Sequence, residues 1–129
     1  MTTKHKILIV EDEEDVRQLL SDILTSGEHE VEVAANGTEG IKMFEQGSFD
    51  MVFTDLGMPD MSGWEVAKKI KDINGKVPIV LVTGWNVEIQ DDKKKNYDVN
   101  IVIQKPFQVN QVLSSVQAVI GIEDRRKAV

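Results

Sequence analysis

A chain of 129 residues with 41% apolar and 29% charged side chains has the make-up of one ordinary globular domain, able to bury about two-thirds of its surface. Its net charge of −7 argues against direct nucleic-acid binding, which needs a basic face, and the lack of cysteine excludes disulfides, thiolate catalysis and cysteine-held metal. Only four apolar residues follow the N-terminal lysines, too few for a signal-peptide core, and "VPIVLV" is too short to cross a bilayer, so a cytoplasmic chain without a membrane partner is expected.

Five short apolar runs alternate with longer segments. The first run, Lys6–Val10, leads into the acidic stretch "EDEED" and then into Val16, Leu19, Leu20, Ile23 and Leu24, a stripe at helical spacing that Gly27 closes as a C-cap. Glu30–Ala35 is the second run, and "NGTEGIKMFEQG" supplies a second helix. Met51–Thr54 opens into "DLGMPDMSG", followed by the helix of "GWEVAKKIKDING". Ile79–Thr83 is the fourth run. The segment after it, "NVEIQDDKKKNYD", is weakly patterned and reads as a short, poorly anchored helix or a partly irregular stretch. Asn100–Ile103 is the fifth run. Val109, Val112, Leu113, Val116, Val119 and Ile120 then repeat the helical period, with Gly121 as the stop and "EDRRKAV" as a solvated tail or helix extension. One domain over 1–129 is expected, with a core of about 6–120 and a charged tail over 121–129.

Strands alternating with helices of this length indicate βαβ units and a mostly parallel sheet. "ILIV" and "IVLV", apolar on both faces, suit a sheet covered on both sides. In such a sheet, ligands bind beyond the carboxyl ends of the strands. Glu11 and Asp12 follow the first strand, Asp55 ends the third, Thr83 ends the fourth and Lys105 follows the fifth. Three carboxylates, a hydroxyl and an ammonium therefore meet at one rim. Two carboxylates ~4 Å apart repel by roughly 4 kcal/mol at an effective dielectric near 20. Such a cluster binds protons or a hard cation, and oxygen-only ligands select Mg2+ over zinc or copper. A lysine and a hydroxyl beside it suit a transferring phosphoryl group, which casts Asp55 as a nucleophile able to form an acyl phosphate.

The stretches "ILIVEDEE", "VFTDLGMPDMSG", "IVLVTG" and "QKPF" together resemble the response regulator receiver domain of two-component signalling, from about Lys6 to about Ile120. The resemblance implies a flavodoxin-like (βα)5 fold, doubly wound, with strand order 2-1-3-4-5. It implies Asp55 as the phosphoacceptor, taking its phosphoryl group from a phosphohistidine of a sensor histidine kinase or phosphotransfer protein. Glu11, Asp12, Asp55 and the backbone carbonyl of Gly57 match the Mg2+ ligands, with Mn2+ as a substitute. Thr83 matches the hydroxyl that turns to a phosphoryl oxygen, and Lys105 the lysine that pairs with the phosphorylated carboxylate. A cis Lys105–Pro106 peptide is implied as well. The output would be altered binding of a downstream protein through the face built by the fourth helix, fifth strand and fifth helix. On this reading the chain is a signalling domain rather than an enzyme, catalysing only its own phosphotransfer and slow self-dephosphorylation.

Some positions depart from the family pattern. Glu11 stands where Asp is commoner, and its extra methylene either reaches the metal or holds a metal-bound water. Val102 replaces the aromatic ring that many receivers turn inward on activation, which points to the fourth helix as the route of signalling. Gly57 has no side chain to orient a water and Trp85 would shield the site, both consistent with a slowly lost phosphoryl group.

Blander expectations attach to other residues. Glu11 and Asp12 alone would be helix-start acids, Thr83 a strand residue and Lys105 surface charge. Asp60 is expected to be a turn residue with no metal role, and His5 and His29 to be exposed and uninvolved. Trp64 and Phe107 read as packing residues, and "KKK" at 93–95 as a solvated face. Among rival functions, an aspartyl-phosphate hydrolase would show a second Asp at the position of Gly57. A flavin carrier would show a phosphate loop where "EDEED" stands, and a degenerate receiver would lack part of the set Asp12, Asp55, Thr83 and Lys105. At this length no output domain fits, so a stand-alone receiver or one cut from a larger regulator or hybrid kinase is expected.

Overall fold

The computed structural model describes residues 4–84, 97 and 99–127, of which 120–127 as backbone alone. Its strands are β1 (Lys6–Val10), β2 (Glu30–Ala34), β3 (Met51–Asp55), β4 (Ile79–Thr83) and β5 (Ile101–Gln104). Its helices among the described residues are α1 (Glu14–Ser26), α2 (Gly37–Gln46), α3 (Gly63–Ile73) and α4 (Val109–Lys127), the last being the fifth helix of the sequence reading. All strand pairs are parallel and the order is β2-β1-β3-β4-β5, the flavodoxin-like arrangement.

Alternation along the strands sorts the core into two layers. Leu8, Val10, Val52, Ile79 and Leu81 face α2 and α3, meeting Phe44, Trp64, Val66 and Ile70. Ile7, Ile9, Phe53, Val80 and Val82 face α1 and α4, meeting Leu20, Leu24, Val112 and Val116. Every residue of β3 and β4 is buried, because these strands have sheet on both sides and helices on both faces. Only the edge strand β2 alternates with exposed glutamates, which blunts it against pairing with other chains.

Element ends differ from the sequence reading in instructive ways. β3 runs one residue past the apolar run Met51–Thr54, so that Asp55, expected to end the strand, does so in register with Val82. β5 begins at Ile101 because the Asn100 side chain instead accepts from the Ile79 N–H at 2.9 Å, closing the sheet at its other end. Gly121 does not stop the last helix, which runs to Lys127. One interior glycine costs only about 1 kcal/mol, and the Glu, Arg and Lys around it favour helix.

Gly27 is the C-cap of α1, but the left-handed turn falls on the next residue, Glu28, at φ 69°. The His29 N–H reaches the Leu24 carbonyl at 3.2 Å and the Glu28 N–H the Thr25 carbonyl at 2.9 Å, a Schellman closure built without a glycine at its αL position. A Cβ at residue 27 would lie 2.7 Å from the end of the Leu113 side chain, which would have to turn aside. The segment 86–98 lies outside the described residues except for Tyr97, whose ring lies tilted against the buried Trp64 with centroids 5.4 Å apart. Phe107 packs against the α1–α4 layer.

The histidines correct an expectation. His29 is buried, with its ring 5.7 Å from that of half-buried His5, and its Nδ1 accepts from the His5 N–H at 3.3 Å. The turn after α1 carries His29 straight into β2, which leaves its ring largely covered. Burial, and then the neighbouring His5, hold its pKa below 6.5. The unfolded chain therefore binds the His29 proton first as pH falls. The stability this neutral ring contributes is present above pH 6.5 and is lost as pH drops toward the lower folded value. Urea denaturation of wild type and His29→Asn between pH 7.5 and 5.5 should show wild type losing ground on acidification, by at most ~1.4 kcal/mol per pH unit. Parallel curves would remove the effect.

Candidate functional site

Because all five strands run the same way, their carboxyl ends open on one rim. β1 delivers Glu11 there; its N–H bonds to the Ala34 carbonyl at 3.0 Å, and its side chain is fully buried. Asp12, half-buried, follows. Asp55 ends β3 at 5% exposure, its Oδ1 accepting from the Leu56 N–H at 2.9 Å. Thr83 ends β4 fully buried, and its carbonyl accepts from the Lys105 N–H at 2.8 Å, which ties the lysine to the site. The Lys105–Pro106 peptide is cis.

Glu11, Asp12, Asp55 and Lys105 arrive within one cluster, and Thr83 lines the cleft beside it. Lys105 Nζ stands 3.4 Å from Glu11 Oε1 and 3.5 Å from Asp55 Oδ1. Glu11, Asp12 and Asp55 each offer an oxygen, and these lie within 4.8 Å of one another. Burial, then the charge and hydrogen bonding of Asp55, push Glu11 up to about 8 despite the pull of Lys105. For Lys105, burial is outweighed by the charges of Glu11, Asp55 and Glu13, and its pKa rises. A cleft of about 250 Å3 opens beside the cluster, lined by Glu13, Asp55, Gly57, Thr83 and Lys105 among others. Gly57 is exposed, with nothing within 4 Å of where a Cβ would stand.

Among the described residues, three buried oxygens here lack a hydrogen-bond partner: Glu11 Oε2, Asp12 Oδ1 and Thr83 Oγ1. Buried polar atoms are normally paired, and leaving one unpaired costs about 1–3 kcal/mol. Three at one place, two of them carboxylate oxygens, fit a site shaped for a hard cation and an oxygen-rich ligand.

The sequence reading missed two neighbours of the site, Arg17 and Glu13, and did not foresee the partners of Asp60. Arg17 of α1 donates from its guanidinium to the Glu11 carbonyl at 3.0 Å, fixing the turn that carries both acids. Glu13, exposed, is a third carboxylate on Lys105, at 3.9 Å. Asp60 belongs to the loop after β3 and is bonded to the start of α2. Arg17 and Glu13 lay inside a charged helix start with no signal to separate them from solvated neighbours. The residue at 102 is half-buried valine facing Leu81 across the sheet, and Trp85 lies outside the described residues.

Comparison with known proteins agrees with this geometry. Residues 7–117 match the response regulator receiver domain family. YkoG of Bacillus subtilis, an uncharacterized transcriptional regulatory protein, is 31% identical over 119 residues, covering 91% of this chain and 51% of YkoG. The transcriptional regulatory protein CusR of Escherichia coli is 29% identical, covering 89% of this chain and 51% of CusR. The chain thus spans about half the length of these curated relatives. Among solved structures, the chemotaxis protein CheY4 of Vibrio cholerae matches with a TM-score of 0.85 at 28% identity, over 91% of this chain and 99% of that one. The response regulator TrrA of Thermotoga maritima, solved in complex with Mg2+ and BeF, matches with a TM-score of 0.82 at 30% identity, over 89% and 98% of the two chains. With the fold, the acidic rim and the family match in agreement, the chain belongs to the response regulator receiver domains of two-component signalling.

Proposed function

We propose that Asp55 accepts a phosphoryl group from the phosphohistidine of a sensor histidine kinase or phosphotransfer protein, and that the modification changes which protein the domain binds. A carboxylate oxygen of Asp55 bonds to phosphorus as the phosphorus–nitrogen bond breaks, and the departing imidazole keeps the electron pair and takes up a proton. Glu11, Asp12, Asp55 and the Gly57 carbonyl would hold Mg2+, or Mn2+ in its place. Bound there, the ion supplies countercharge to the phosphoryl oxygens. Lys105 Nζ, already 3.5 Å from Asp55 Oδ1, pairs with the modified carboxylate, and the Thr83 hydroxyl finds its missing acceptor in a phosphoryl oxygen.

The observation that carries this reading is the trio of unpaired buried oxygens on Glu11, Asp12 and Thr83 around one carboxylate–ammonium pair. The likeness to TrrA, solved with Mg2+ and BeF, supports the same ligand class. Open space at Gly57 supports slow self-dephosphorylation, since no side chain there orients an attacking water. The output face would comprise the segment after β4, β5 and α4.

Incubation with Mg2+ and acetyl phosphate tests the proposal by intact mass. One phosphoryl group per chain is expected, absent without Mg2+ and absent in Asp55→Asn. Modification that survives in Asp55→Asn overturns the assignment, and steady turnover of many equivalents favours a hydrolase.

A further inference from the structure

The loop between β3 and α3 contains a carboxylate that the phosphotransfer reading does not use. Asp60 Oδ1 accepts from the Gly37 N–H at 3.1 Å; Oδ2 accepts from the Thr38 N–H at 2.8 Å and the Thr38 hydroxyl at 2.7 Å. Those two N–H groups belong to the first turn of α2, which already has its own N-cap: the Asn36 side chain accepts from the Glu39 N–H at 2.8 Å. Helix starts leave several N–H groups without partners, and Asp60 takes those that Asn36 does not reach. The hydrogen bonds from Thr38, side chain first, hold the Asp60 carboxyl down at about 2.

The next residue repeats the attachment. Met61 lies so close to Gly37 that a Cβ there would fall 2.3 Å from its Cγ. At the far end of the loop, the Gly63 N–H donates to the Leu56 carbonyl at 2.8 Å. The loop is thus fastened at its base and again at residues 60 and 61, and Gly57 lies on the span between the two fastenings.

We infer that Asp60 is a positioning residue for the cation site, a latch that uses the start of α2 to hold the Gly57 carbonyl in place. This rests on the reading of Gly57 as a ligand. The hydrogen bonds are local to α2, yet their consequence is at the rim, because the latched loop begins directly after Asp55. Freed at Asp60, the loop samples more conformations, and binding the cation must then order it again. The acidic cluster itself is untouched.

Titration calorimetry with Mg2+ on the intact chain, paired with thermal unfolding, provides the test. Asp60→Ala should weaken Mg2+ binding by about tenfold, the lower end of what loss of supporting hydrogen bonds costs a metal site. Asp60→Asn, which keeps an acceptor oxygen without the charge, should recover part of it. Asn36→Ala removes the other cap from the same helix turn and lowers the unfolding temperature, but it should leave Mg2+ affinity at the wild-type value. A merely structural role would make Asp60→Ala and Asn36→Ala behave alike; that result, or unchanged affinity in Asp60→Ala, overturns the latch. Wild type that takes up no Mg2+ overturns instead the reading beneath it.

Discussion

Glu11→Gln is expected to make the metal-free protein more stable while stripping it of Mg2+ affinity. Glu11 is fully buried and its folded pKa is pushed up to about 8 from an ordinary 4.5, by burial and then by Asp55. A raised folded pKa means that the stability tied to its proton is complete below pH 4.5 and is lost as pH climbs through about 8. At pH 7 the unfolded chain is ionised there and folding must take the proton back or bury the charge. Glutamine has neither cost. The variant should therefore gain about 2 kcal/mol at pH 7, several degrees in Tm, with little gain near pH 4.5. Adding Mg2+ should invert the order, because only the wild type gains the stability that ligand binding confers. Thermal unfolding at two pH values, with and without Mg2+, reads all four states. A variant less stable than wild type in the metal-free state at pH 7 would show that Glu11 is held as a charge by Lys105 after all.

Gly63→Ala should cost about 3 kcal/mol or more, the range of severe overpacking. A Cβ at residue 63 would lie 2.3 Å from the Asp55 carbonyl oxygen, 2.7 Å from Leu81 Cδ1 and 2.9 Å from Leu56 Cα. Two of those neighbours are backbone, one of them belonging to Asp55, so the clash is relieved only by moving the loop away from β3. Gly57→Ala provides the contrast within the same loop. No atom lies within 4 Å of its Cβ position and none of the described glycines has positive φ, so alanine there should be neutral or slightly stabilising, about 0.4–1 kcal/mol. Denaturant titration of the two variants should separate them clearly. Equal midpoints would mean that the β3–α3 loop yields freely, and the latch argument would lose its footing with it.

Both variants bear on how far the sequence could be read. Gly57 and Gly63 look alike in "DLGMPDMSG", as two loop glycines near an acid. Only the approach of α3 to the end of β3 makes the second obligatory. The same holds for Asp60, which by pattern is a turn residue and in space accepts three hydrogen bonds from another helix. His29 resembles any surface histidine in "SGEHEVEV" until the α1–β2 turn tucks its ring beside His5.

What the chain determined by itself is the layered α/β architecture and the membership of the acidic rim. Apolar alternation and helical spacing are local properties, and a residue that ends a strand in sequence also ends it in space. Glu11, Asp12, Asp55, Thr83 and Lys105 were therefore identifiable as neighbours without coordinates. Tertiary structure alone decided which acid is fully buried, with its pKa raised by that burial, and which carboxylates surround Lys105. It also decided which loop residue is tied to which helix. These outcomes depend on desolvation and on distances of a few ångströms between segments far apart in the chain, and no periodicity along a sequence encodes either.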